Sequence, residues 1–96
     1  MATTFKVAHF KEQGQQVIAV LVSSSFGCKS SADQNEICGQ LQSCARSAGL
    51  AGTVVPVWDA GGRRMGFLAP RQWQSFFRSI SLAQIAASVN RNLTCG

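Results

Sequence analysis

Apolar positions alternate with polar ones, or run together, in four short stretches. One helical stripe of apolar residues follows the second of these and two follow the fourth. Residues 4–10 predict a strand with Phe5, Val7 and His9 on one side and Ala8 and Phe10 on the other. Residues 16–22 predict a second strand, joined to the first by a polar turn containing Gly14. A short polar link favours an antiparallel hairpin. The second strand is apolar on both sides, so it belongs in the middle of a sheet with cover above and below.

A serine-rich loop, residues 23–31, leads into a helix. Ser31 and Gln34 have the spacing of a capping box. Ile37, Leu41, Cys44, Ala45 and Ala48 fall on one stripe. Gly49 followed by Leu50 predicts the stop. Residues 52–58 and 63–69 predict a second hairpin around a turn at residues 59–62. Pro56 lacks an N–H, which predicts a free edge at that point of its strand. Pro70 suits the start of a helix. Trp73, Phe76, Phe77 and Ile80 make one stripe. Leu82, Ile85, Ala86, Val89 and Leu93 make another, out of phase with the first. The slip predicts two helices broken near residues 79–81, with Ser81 and Gln84 capping the second.

The expected fold is α+β, one domain over residues 1–96, in the order β-β-α-β-β-α-α. Two hairpins imply a four-stranded, mostly antiparallel sheet with the helices packed on one face. The other face would then expose a contiguous apolar patch. Such a patch predicts a homodimer that buries it or exchanges strands. It also admits a protein-interaction partner or regulator as an alternative.

Composition sharpens that expectation. Of 96 residues, 46% are apolar and only 14% charged, where soluble domains average roughly 25% charged. No segment is long and apolar enough to cross a membrane. The first ten residues lack the pattern of a signal peptide, so a cytoplasmic location and no membrane partner are expected. Four cysteines, at 28, 38, 44 and 95, contain no CxxC pair. They read as free, partly buried thiols with no metal.

The candidate chemistry is sparse. The four acids sit in turns or in the first turn of a helix, where dipole and turn preferences account for them. His9 is the only histidine. No nucleophile, base and orienting group can be read together, so the chain leans towards a non-enzyme without a cofactor. The loop at residues 23–31 carries Lys29 and Ser30 into a helix N-terminus, which can seat an anion. It lacks the leading glycine of a phosphate-binding Walker loop.

Net charge is +5 and uneven. Residues 49–96 hold five arginines against one acid, and Arg63, Arg64, Arg71 and Arg78 stand close in sequence to Trp58 and Trp73. The leading expectation is a binding module that takes a small or anionic ligand in a cleft made by Trp58, Arg64, Trp73 and Phe77, with Lys29 and Ser30 as the anion seat. Nucleic-acid binding through the arginine-rich half is the alternative. Residues 81–90 resemble the first helix of a helix-turn-helix unit. Six further residues leave no room for a recognition helix, so a plain amphipathic helix is expected there.

Overall fold

The computed structural model describes residues 3–12, 14–61 and 64–95. Five strands form one sheet: β1 (Thr3–Glu12), β2 (Gln15–Leu21), β3 (Thr53–Gly61), β4 (Arg64–Phe67) and β5 (Arg91–Cys95). Three α-helices accompany them: α1 (Ser31–Ser47), α2 (Arg71–Ser79) and α3 (Leu82–Ala87). A 3-10 turn at Ser24–Cys28 precedes α1. The class is α+β, as the alternation of strand and helix patterns predicts.

The strand order is β4-β3-β2-β1-β5. Three neighbouring pairs are antiparallel, and β2 with β3 is parallel. The β1–β2 hairpin forms as expected, with Gly14 at φ +77 in its turn. The two hairpins do not simply add. The connection from β2 to β3 runs through α1, and a crossover helix brings the next strand in parallel beside the first. β3 therefore has two neighbours. Leu68 donates to the Pro56 carbonyl at 3.1 Å, just past the last residue of β4. The missing Pro56 N–H faces the same side, where the ladder has already stopped.

Two expectations about the layers need correction. The sheet has five strands rather than four. Its helices lie on both faces rather than one. α1 covers the side carrying Val7, Ile18, Val20, Val54 and Leu93, and contributes buried Leu41 and Ala45. α2 and α3 cover the side carrying Ala8, Val17, Ala19, Val55 and Val57, and contribute Trp73, Phe77 and Ile85. The apolar excess is thus spent on two cores, one on each face. No bare apolar sheet face remains among the described residues, so the homodimer loses the premise on which it was expected.

The fifth strand replaces the end of the last expected helix. The break between α2 and α3 falls where the phase slips, and Ser81 and Gln84 complete a reciprocal cap at 3.2 and 2.8 Å. α3 then stops at Ala87. The Asn90 side chain accepts from His9 N at 2.9 Å and donates to His9 O at 2.8 Å. That double bond to the β1 backbone starts β5 and brings Leu93 opposite Phe5.

The first cap also shifts by one residue. Ser30, not Ser31, is the N-cap of α1, and its hydroxyl accepts from Asp33 N at 3.2 Å. Gln34 instead donates to the Phe26 carbonyl at 3.0 Å and ties the helix to the preceding turn. Gly49, at φ +81, follows the helix end as expected.

Candidate functional site

Six residues were expected to build one cleft, and the structure divides them. In β3 the side chains of Val55 and Val57 face α2 and α3, whereas Val54 faces α1. Period-two alternation puts Trp58 on the α1 side. Trp73 and Phe77 lie on the other side of the sheet, 4% and 1% exposed. They are core residues in a packed aromatic group with Phe76: Phe76 and Phe77 meet edge to face at 5.3 Å, and Trp73 meets Phe76 at 5.7 Å. The Trp73 Nε1–H is buried there without a hydrogen-bond partner.

Trp58 is different. It is half-buried, at the sheet end where β3 turns into β4. Phe26 from the 3-10 turn tilts against its indole at 4.9 Å. Gly66 is its cross-strand partner, and Gly27 lies over the ring from the turn. A Cβ at either glycine would overlap the indole. The sequence thus leaves a slot for this ring on two sides. The ring borders an open pocket of about 500 Å³, lined also by Ser24, Cys28, Asp59 and Gly61.

Lys29, Ser30 and Arg64, the three other expected residues, are not among those that line this pocket. Lys29 and Ser30 are exposed and directly follow Cys28. The Ser30 hydroxyl is engaged in capping α1. Arg64 is exposed and opens β4, two residues before Gly66, so alternation places it on the Trp58 side. Asp59 is also exposed, and its carboxylate accepts from Gly61 N at 2.8 Å within the turn. Arg63 and Gly62 lie outside the described residues. Arg71 and Arg78 ride on α2, over the opposite face.

A larger groove lies between α1 and the β5 edge. It has a volume of about 980 Å³ and is lined by Phe5, Ile37, Leu41, Ser43, Cys44 and Cys95, among others. The last two form a disulfide, with Cα atoms 5.8 Å apart and a sequence separation of 51. This corrects the reading of all four cysteines as free thiols. The pairing needs β5, and β5 did not show in the apolar pattern. Cys28 is free and exposed, and Cys38 is free and half-buried. Burial pushes the Cys38 thiol pKa up.

His9 Nε2 lies 2.9 Å from the Ala51 carbonyl and 3.0 Å from the Gln16 side-chain oxygen. The ring thereby joins β1 to the loop before β3. Among the described residues no group of three or more His, Cys, Asp or Glu could hold a metal ion. None of the described helices is long and apolar enough to cross a membrane. No family model, no curated protein and no solved structure matches the chain.

Proposed function

We propose that the chain is a small non-enzymatic binding module, and that it takes a small anionic ligand at the Trp58 pocket. The observation carrying this reading is the way Trp58 is held. Gly27 and Gly66 clear space for the ring, Phe26 braces it, and one part of it still meets an open pocket. An aromatic or apolar ligand body would lie against the indole. The exposed cations Lys29 and Arg64 would meet its negative group. Trp73 and Phe77 have no part in this site, because they are consumed by the core of the other face.

A thermal-shift screen of small anionic aromatic compounds tests the reading. A ligand present at a hundred times its Kd stabilises by about 2.7 kcal/mol. For a domain of this size that raises Tm by roughly 11–22 °C. Hits are expected to quench or shift the fluorescence of half-exposed Trp58 and to disappear in Trp58→Ala. They should weaken in Lys29→Ala and Arg64→Ala. A screen without hits, or hits indifferent to Trp58→Ala, would refute it.

A second reading concerns assembly. With both sheet faces covered, a homodimer has the sheet edges β4 and β5 to use, and the groove beside β5 favours that edge. Equilibrium sedimentation of the whole chain decides whether a dimer forms. Nucleic-acid binding is less well supported, since Arg64 stands on the Trp58 side while Arg71 and Arg78 stand on the other. The cytoplasmic placement expected from the sequence sits against this disulfide, because such bonds are rare in reducing compartments.

A further inference from the structure

β5 has little packing of its own to hold it in the sheet. It is five residues long and lies at an edge. Of its side chains only Leu93 is fully buried; Arg91, Asn92 and Thr94 are exposed and Cys95 is half-buried. One buried leucine is little against the backbone entropy of ordering five residues. Two polar ties help: the Asn90 side chain on the His9 backbone, and a hydroxyl pair between Thr4 and Thr94 at 3.0 Å. Beside the backbone ladder with β1, a further tie is covalent and reaches a different layer. Cys95 is bonded to Cys44 of α1. Both cysteines are half-exposed on the wall of the 980 Å³ groove, within reach of a dissolved thiol.

We propose that the Cys44–Cys95 disulfide is a redox latch on β5, and that its reduction releases this strand from β1. The co-reactant is a dithiol. Its thiolate attacks one sulfur of the bond, and the other sulfur leaves as a thiolate and takes up a proton. The second thiol of the reductant then displaces the mixed disulfide. Two electrons and two protons pass to Cys44 and Cys95, and the dithiol becomes a disulfide. Release of β5 uncovers the outer edge of β1 around Phe5 and Val7 and extends the groove along it. A freed strand edge of this kind pairs readily with another strand. The latch thus controls whether the edge of the sheet is occupied by the chain's own β5.

The test is amide hydrogen exchange on the whole chain carrying Cys28→Ser and Cys38→Ser, with and without excess dithiothreitol. On reduction, the protected amides of Arg91–Cys95 should exchange about 100-fold faster, whereas those of Val17–Val20, Val54, Val55 and Val57 should change by less than about 10-fold. Equal acceleration throughout the sheet would show a general staple and overturn the proposal. So would unchanged protection in β5. A further variant adding Cys44→Ser and Cys95→Ser should show the reduced pattern with or without dithiothreitol. Protection of its β5 amides at the oxidised level would also overturn it.

Discussion

Gly66 stands opposite Trp58 across the β3–β4 ladder, and a Cβ at Gly66 would occupy the volume of the indole. The pair explains why a glycine interrupts a strand otherwise built from Arg64, Met65 and Phe67. Gly66→Ala forces the ring out of its slot or β4 away from β3. Overpacking of this kind costs about 1–3 kcal/mol, measurable as a lower urea midpoint. In a Trp58→Ala background the same change should cost little more, because the two changes act on one volume. Additive losses in the double variant would show that Gly66 serves the strand backbone and not the ring.

The Asn90 side chain makes a similarly specific claim. Its two bonds to His9 N and O are the first link between β5 and β1. Asn90→Ala should cost about 1–3 kcal/mol in urea unfolding, from two lost hydrogen bonds on partly solvated groups. The β1 amides near His9 should lose exchange protection before those of β3. Asn90→Asp keeps the acceptor for His9 N but loses the donor to His9 O, so its loss should be intermediate. A variant at Asn90 as stable as the parent would place the start of β5 under the control of Leu93 instead.

The two cores were legible in outline, because periodicity reports which residues are buried. The double-sided apolar run at Val17–Val20 correctly demanded cover on both faces. Assigning all helices to one face contradicted that demand. The pattern of α1 carries no mark of which face it returns to. β5 was illegible for a different reason. Leu93 continues the helical spacing from Val89, and a five-residue strand with one buried side chain has almost no period-two signal. The strand is tied by Asn90 to a backbone 81 residues away and by a disulfide to α1. The candidate site divided along the same line. Trp58 and Arg64 share one side by strand alternation, while the aromatic spacing of Trp73 and Phe77 described a helix face committed to packing.

Trp73 brings a polar atom into the core without a partner for it. Its Nε1–H is buried and makes no hydrogen bond. Trp73→Phe removes that unsatisfied donor together with part of the ring volume, so the two effects oppose each other. The net cost should stay below about 1.5 kcal/mol, against about 3–5 kcal/mol for Trp73→Ala, which keeps only the cavity penalty. Urea unfolding of both variants gives the comparison. A Phe variant as damaged as the Ala variant would mean that the indole's shape, with its edge contact to Phe76, outweighs the stranded N–H.

The two free cysteines should differ in reactivity and in their effect on alkaline stability. Cys28 is exposed beside the Trp58 pocket. Cys38 is half-buried, with its sulfur 3.8 Å from the Val54 carbonyl, and burial raises its pKa. Iodoacetamide at pH 8 should therefore modify Cys28 at least about 10-fold faster than Cys38, since the thiolate is the reactive form. The raised pKa also sets a sign for stability. The folded chain holds the Cys38 proton more tightly than the unfolded chain, so this contribution is complete below the ordinary thiol value of about 8.5. It declines as pH rises through the higher folded value. Unfolding free energy measured from pH 7 to 10 should fall more steeply in the parent than in Cys38→Ala. Parallel curves would show that the thiol ionises as freely in the fold as out of it.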